Sequence, residues 1–391
     1  MREFVAPYLS SLAEPEQRRH VVEYMIGLLS KLEHKTAEAI AYLLDHTRQG
    51  IQKFIGRAVW DHAPMLERLA HHVAGEVGDP DAVIVFASAS FPKKGLKSVG
   101  VAKQLSGPGK KIENCQVALY MAYVSPAAEC LVNTRLYLPK EWTRNPVRRA
   151  EARIPKAVRY RAHHELAKEM LQEQGIFLPH SWVAIRDEES YPDSFCQMMR
   201  DRGQRYLAPV SPGTWIRNNE SNGRKHEITE SLSNSFVRLD RLADSLPQSA
   251  WSIVSPSGCH GSSASIEIAS RRAERRVREG HHPVELFLIV RRHNAEDRDK
   301  CNYFATNAED AVPLQTLASV IHAMDRADSC IQRAREEAGL ADYQVRNWLA
   351  WHHHQVLSLL AAWFLTLARP KGPSGTICGR ASLSRGALEG E

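Results

Sequence analysis

The sequence has no long apolar run and no pattern of a secretory leader. No stretch reaches the 18 or so consecutive apolar residues that a membrane-spanning helix requires. Residues 1–12 lack the basic and then apolar order of a signal peptide. These absences predict a cytoplasmic protein with no membrane partner.

Closely spaced cysteine pairs are also absent. The chain has seven cysteines, an odd number, and none of them belongs to a CxxC pair. Structural zinc sites and small disulfide frameworks depend on such spacing. We therefore expect reduced thiols, no structural metal site and no bound cofactor.

Positive charge is present in excess and is unevenly distributed. The net charge is +6, and residues 91–111 contain six lysines and no acid. Residues 135–161 contain nine lysines and arginines against Glu141 and Glu151. Clustered cations favour a polyanion, because neutralising its phosphates releases counterions. The two clusters predict contact with double-stranded DNA, and a merely solvated surface is the alternative.

Residues 1–78 are predicted to form a helical N-terminal domain that binds DNA. Apolar residues recur at spacings of three and four between positions 21 and 44, which predicts one amphipathic helix. Gly27 inside it is a candidate break, and Gly50 is expected to cap a helix end. The cations expected to contact phosphates here are Lys31, Lys35, Lys53 and Arg57.

Residues 79–368 alternate short apolar runs with helical patterns, which predicts an α/β fold. Two long helices are expected, one ending at Gly339 and one spanning 347–368. Residues 217–262 are polar and predict a loop or an insertion, and the insertion is placed around 217–283. The Pro- and Gly-rich tail 369–391 is predicted to be disordered. The expected strands are 82–86, 116–124, 129–139, 182–185, 204–210 and 284–292.

Four blocks resemble the conserved blocks of IS701-type transposases in the IS4 group, in the same order. These blocks are residues 91–104, 113–123, 133–142 and 336–354, and residues 50–61 are similar to a block in the helical domain of that family. The resemblance implies an RNase H-like core, a mixed sheet flanked by helices. It also implies three carboxylates that hold two Mg²⁺ ions for DNA cleavage.

The positions where that family carries its carboxylates hold other residues in this sequence. Ala87 occupies the place of the first Asp, with Ser88 beside it, and Arg186 occupies the place of the second acid. Asp187 would fill that second place only after a slip of one residue, which turns its side chain to the other face of the strand. Asp328 stands where the family has a Glu that is longer by one methylene. The resemblance thus implies a replaced triad with Asp187 and Asp328 as weak remnants.

Further roles are implied by the same resemblance. Arg335 stands where the family has a phosphate-contacting Lys, and Lys93, Lys94 and Lys97 belong to its basic block. These four cations are expected to contact DNA. The residues expected to line the pocket are Ser88, Ser90, Cys115 and His354.

Neither the cysteine nor the histidines of this set predict further chemistry. Cys115 is expected to be a packed thiol, since no partner base is evident in the sequence. Neighbouring residues of a helix point about 100° apart, so the consecutive histidines 352–354 cannot share one metal. No metal site is therefore predicted from these residues.

Three functional hypotheses follow. The first is a DNA-binding protein that has lost cleavage, as a relic or a co-opted factor. The second is an enzyme that acts on a small molecule in the altered pocket. The third is an active transposase whose Mg²⁺ is held by shifted ligands, such as Asp187 and Asp328. A homodimer is implied only by the resemblance.

Overall fold

One mixed sheet dominates the computed structural model. The described residues are 1–44, 48–106, 111–186, 193–218, 236–257, 265–277, 283–292 and 301–369. The strands are β1 (Val83–Pro92), β2 (Ala102–Ser106), β3 (Lys111–Val124), β4 (Glu129–Leu136), β5 (Trp182–Ile185), β6 (Arg205–Pro209), β7 (Trp215–Asn218), β8 (Val237–Arg238), β9 (Ser252–Val254), β10 (Ile266–Arg275), β11 (Val284–Arg292) and β12 (Cys301–Thr306).

Helices flank this sheet, and the first five of them precede it in the chain. The α-helices are α1 (Arg2–Val5), α2 (Pro15–Leu29), α3 (Ala37–Leu43), α4 (Arg48–Gly56), α5 (Ala63–Val77), α6 (Lys140–Arg144), α7 (Pro146–Glu151), α8 (His163–Glu173), α9 (Asp193–Asp201), α10 (Leu239–Ser245), α11 (Leu314–Glu337) and α12 (Trp348–Ala368).

The strand order is β2-β3-β1-β5-β6-β12-β11-β10-β7-β8, with β4 paired to β3 and β9 to β10. The pairs β1–β5 and β5–β6 are parallel, and the other pairs are antiparallel. This mixed sheet flanked by helices confirms the predicted α/β class with an RNase H-like core.

Strand β1 is covered on both faces, which explains why it begins as an unbroken apolar run. Alternation puts Ala87 and Phe91 on one face and Ser88 and Ser90 on the other. Ala87 lies opposite Tyr120 of β3, whose hydroxyl donates to Gln355 Oε1 of α12 at 2.7 Å. The Ala87 face is therefore the face on which the C-terminal helices pack.

The N-terminal helices and the sheet share one hydrophobic cluster. Leu28 of α2, Leu69 of α5 and Leu359 of α12 are all fully buried in it. Helix α12 is enclosed on nearly every side, which accounts for its apolar composition. In the described part of the chain, no helix combines the length and the apolar character needed to cross a membrane.

Three predictions in the N-terminal region are wrong. Residues 21–44 form two helices, because Thr36 caps α3 by accepting a hydrogen bond from the Ala39 N–H at 3.2 Å. Gly27 does not break α2; a Cβ on it would lie 2.5 Å from Ile40 Cγ1, so it permits close packing of α3. Gly50 lies inside α4 and caps nothing.

The prediction of a loop over 217–262 is also wrong for its described part. The end of β7, strands β8 and β9 and helix α10 lie there, and β7 and α10 build a second small core with β10 to β12. Ile216, Leu239, Trp251 and Phe287 belong to it. Helix α10 contributes only Leu239 and Ala243 to the buried part of this core, so the segment can be polar in composition. The predicted tail lies, from residue 370, outside the described residues.

Candidate functional site

The three positions compared with the transposase carboxylates converge at the end of β5. Phe86 of β1 is opposite Ile185 of β5, and the Arg186 N–H donates to the Phe86 carbonyl oxygen at 2.9 Å. Ala87 and Arg186 are therefore neighbours, and residues at the same register of parallel strands point to the same face. Helix α11 brings Asp328 to this face.

An ion pair joins two of the three positions. Arg186 Nε donates to Asp328 Oδ2 at 2.7 Å. The two side chains are 38% and 44% exposed, so the pair lies at an accessible surface rather than in the core. The Arg186 guanidinium thus engages the carboxylate of α11 at the end of the strand that pairs with β1.

A second pair of the same kind lies one turn earlier on α11. The guanidinium of Arg292, at the end of β11, donates to both oxygens of Asp325, at 2.8 and 3.0 Å. Asp325 and Asp328 are three residues apart and so share a helix face. The spacing of these two acids was a signal in the sequence, but only the strand order brings Arg292 to Asp325.

These residues do not fit a two-magnesium centre. Mg²⁺ takes oxygen ligands in near-octahedral geometry. The Ala87 methyl offers no oxygen, and Arg186 contributes a cation rather than an oxygen ligand. The described residues contain no group of three or more His, Cys, Asp or Glu that could hold a metal ion. Asp187 falls outside the described residues.

Two cations lie at the C-terminal end of β1, each against an aromatic ring. The Arg335 guanidinium is 4.9 Å from the Phe91 ring centroid, and its Nη2 donates to the Ser90 carbonyl oxygen at 2.9 Å. Lys93 Nζ is 3.7 Å from the Tyr343 ring centroid. The two rings are 5.8 Å apart, so the cations flank one aromatic pair.

Neither cation has a counter-charge within the part of the chain that is described. Arg335 Nε is buried and makes no hydrogen bond there. Lys93 Nζ donates to the Tyr343 carbonyl oxygen at 3.3 Å, and burial lowers the pKa of Lys93 to about 8. Half-buried cations that lack a counter-charge favour an anion as their partner.

The serines and the cysteine predicted for the pocket lie on the other face of the sheet from Ala87. Ser88 and Ser90 alternate with Ala87 along β1, and Ser90 Oγ is 2.6 Å from Ser106 Oγ. Cys115 is opposite Pro92 and buried, and burial raises the pKa of its thiol. The structure does not bring these three side chains to Asp328.

His354 lies in the core of the molecule. Its Nδ1 is 2.9 Å from the Tyr24 hydroxyl, and its Nε2 is 3.1 Å from the Gly339 carbonyl oxygen. Burial lowers the pKa of His354 to about 4, so the ring is neutral at pH 7. Both ring nitrogens are used in packing α12 against α2 and the end of α11.

The predicted DNA-contacting lysines and arginine differ in exposure. Lys31, Lys53 and Arg57 of the N-terminal helices are exposed, as are Lys94 and Lys97 after β1. Lys35 is different: it is buried, and its Nζ donates to the Glu337 carbonyl oxygen. Burial lowers the pKa of Lys35, and the side chain ties the N-terminal helices to the end of α11.

The comparison with known families agrees with this architecture. A family model described as "DDE superfamily endonuclease" matches residues 7–254, more than half of the chain. The chain belongs to this family. No curated protein sequence matches it. Ala87 and Arg186 lie within the residues that the family model matches, whereas Asp328 and Arg335 lie beyond its end.

Proposed function

We propose that this member of the DDE endonuclease family is an IS701-type transposase relative that binds double-stranded DNA without cleaving it. The observation that carries the proposal is the ion pair between Arg186 and Asp328, formed where carboxylates would have to hold Mg²⁺. Such a protein would be either a relic of a transposase or a co-opted DNA-binding factor.

Electrostatics makes the ion pair incompatible with a metal at this place. An Mg²⁺ ion bound to Asp328 Oδ2 would lie about 2.1 Å from that oxygen. Since Arg186 Nε is 2.7 Å from the same oxygen, the ion would be at most about 5 Å from this nitrogen of the guanidinium. At an effective dielectric constant of 20, a divalent ion and a unit positive charge at that distance repel by about 7 kcal/mol. Asp328 alone supplies one carboxylate, and Arg186 already engages it.

DNA binding is supported by cations that no carboxylate neutralises among the described residues. Lys93 and Arg335 flank an aromatic pair beside the site, and Lys94 and Lys97 are exposed in the same loop. Phosphate contacts position a protein on a duplex without reading its sequence. The N-terminal region 1–78, with Lys31, is proposed to extend this contact.

The test is the binding of labelled duplex DNA, followed by fluorescence anisotropy at several salt concentrations, with and without Mg²⁺. We expect binding that weakens with salt and does not depend on Mg²⁺. Replacing two phosphate contacts, in Lys93→Gln/Arg335→Gln, reduces the slope of log K against log salt by about 1.8. Arg241→Gln, an exposed cation of α10, is the matched control and leaves the slope unchanged.

Two results would contradict the proposal. Strand nicking that requires Mg²⁺ and disappears in Asp187→Asn indicates an active transposase with shifted ligands. Absence of duplex binding even at low salt indicates the alternative, an enzyme for a small molecule in the altered pocket. The domain limits at residues 78 and 368, a homodimer and a cytoplasmic location stay predictions.

A further inference from the structure

A short segment after β4 carries a dense set of cations on the surface. Between residues 144 and 159 it has six arginines and lysines and one acid, Glu151. It consists of the end of α6, all of α7 and the turn that follows α7. We call residues 144–159 the arginine turn. Its cations are Arg144, Arg148, Arg149, Arg153, Lys156 and Arg159.

The arginine turn is held in one conformation by the core beneath it. Trp142 is 1% exposed, and its Nε1 donates to the Val101 carbonyl oxygen at 2.8 Å. The Trp348 N–H, at the start of α12, donates to the Ala152 carbonyl oxygen at 2.8 Å, and Ile154 is buried. The cations are therefore presented by an anchored segment.

Arg153 takes a backbone position that ordinarily belongs to glycine. Helix α7 ends with paired hydrogen bonds, from the Ile154 N–H to the Arg149 carbonyl oxygen at 2.9 Å and from the Arg153 N–H to the Ala150 carbonyl oxygen at 3.1 Å. This is a Schellman motif, and its left-handed residue is Arg153, with φ of 52°. A side chain is unfavourable in that conformation, so an arginine there points to use of its charge.

Among the cations of the arginine turn, only Arg148 makes an ion pair with a residue that the structure describes: its Nη1 lies 3.7 Å from Glu141 Oε1. Arg153 and Lys156 are exposed and make no ion pair with any residue that the structure describes. Arg149 Nη2 donates to the Pro155 carbonyl oxygen at 2.8 Å, and Arg159 donates to the Lys156 carbonyl oxygen. Carbonyl groups orient these guanidinium groups without cancelling their charge.

The arginine turn is continuous with the basic loop after β1. Arg148 Nη2 donates to the carbonyl oxygen of Leu96, which lies between Lys94 and Lys97. The Arg148 guanidinium also covers the Trp142 ring at 3.8 Å from its centroid. The tryptophan is therefore hidden, and the surface offers cations rather than an aromatic platform for unstacked bases.

We propose that the arginine turn is a second contact surface for the phosphate backbone of duplex DNA, continuous with Lys94 and Lys97. The inference rests on the proposed DNA binding and does not depend on whether the protein cleaves DNA. Guanidinium groups without acidic partners suit phosphates, and an anchored segment loses little conformational freedom on binding.

The test compares salt slopes for the full-length protein on one labelled duplex. In Arg153→Gln/Lys156→Gln/Arg159→Gln the slope of log K against log salt falls by about 2.7, since each lost phosphate contact removes about 0.9. The matched control, Arg202→Gln/Arg241→Gln/Arg271→Gln, removes three exposed cations elsewhere and keeps the parent slope.

Two single variants separate charge from folding. Arg153→Gly and Arg153→Ala both remove the cation and lower the slope of log K against log salt by the same amount. Only Arg153→Gly relieves the strain of the left-handed backbone conformation, so only this variant raises Tm. If the parent binds duplex DNA and the triple variant has the same slope of log K against log salt, this inference is overturned and the proposed function stands. A parent that does not bind duplex at any salt overturns both. Tighter binding of single strands than of duplex overturns the assignment to duplex DNA.

Discussion

Placing three acids at Ala87, Arg186 and Asp328 tests whether these positions can hold a metal ion when all of them are carboxylates. The variant Ala87→Asp/Arg186→Asp/Asp328→Glu replaces a methyl, a guanidinium and a short acid by three carboxylates. Ala87 and Arg186 are neighbours on parallel strands, and Asp328 already reaches Arg186. We expect the variant to bind Mg²⁺ or Mn²⁺ and the unaltered protein not to respond to either.

The expected size of the effect follows from the strand spacing. Two carboxylates about 5 Å apart repel by about 3 kcal/mol at an effective dielectric constant of 20. Without metal, the variant is therefore less stable than the parent by several kcal/mol. A divalent ion at 100 times its dissociation constant offsets about 2.7 kcal/mol of this loss. In the variant, Tm should rise by several degrees on addition of metal.

The assay is thermal unfolding followed by circular dichroism at rising Mg²⁺ or Mn²⁺ and constant ionic strength. A matched control carries Ser88→Asp in place of Ala87→Asp, which puts the third acid on the opposite face of β1. It should gain less from metal. If Mg²⁺ raises Tm of the unaltered protein as much as that of the variant, the protein holds metal through other ligands and our reasoning is refuted.

Three further predictions concern stability. Arg186→Gln and Asp328→Asn should each lower the unfolding free energy by at most about 1 kcal/mol, because both side chains are more than one third exposed; a denaturant double-mutant cycle with coupling above about 2 kcal/mol would contradict this. Arg153→Gly should raise the unfolding free energy by about 1 kcal/mol in urea, and an equal gain in Arg153→Ala would exclude backbone strain as the cause. Burial lowers the pKa of His353 and of His354 to about 4, below the value of about 6.5 in the unfolded chain. On acidification the unfolded chain takes up these protons before the folded protein does. The unfolding free energy is therefore highest above about pH 6.5 and falls by up to about 1.4 kcal/mol per histidine and per pH unit toward pH 4. An unfolding free energy from urea titrations that does not change over this range would contradict the prediction.

The elements that sequence patterns predicted best are those enclosed on all sides. The strand expected at 182–185 is β5, and the helix expected at 347–368 is α12 to within one residue. Uniform burial produces uniform apolar runs, which are readable without the partner elements. Gly27 was misread because its role depends on Ile40 of another helix, and β10 was missed because one of its faces is largely polar.

The site was predictable only in part. The positions Ala87, Arg186 and Asp328 came from the family resemblance, and their loss of function stays a prediction. That Arg186 binds Asp328 could not follow from the sequence, because 142 residues separate them and the contact depends on β5 ending beneath α11. The hydrogen bond from Lys35 to a carbonyl oxygen at the end of α11 could not be predicted either. An isolated lysine in a polar stretch is expected to be exposed.

The hydrogen bond between Tyr24 and His354 joins residues 330 positions apart and has a consequence for synthesis. Helix α2 leaves the ribosome long before α12, on which its buried face packs. At about 5–20 residues per second, the two are separated by roughly 15–65 s of translation. During that interval the N-terminal helices have an unmet apolar surface, so completion of this core must wait for the last helix. Chains that terminate before residue 348 should therefore be recognised by chaperones and proteases rather than accumulate as folded fragments.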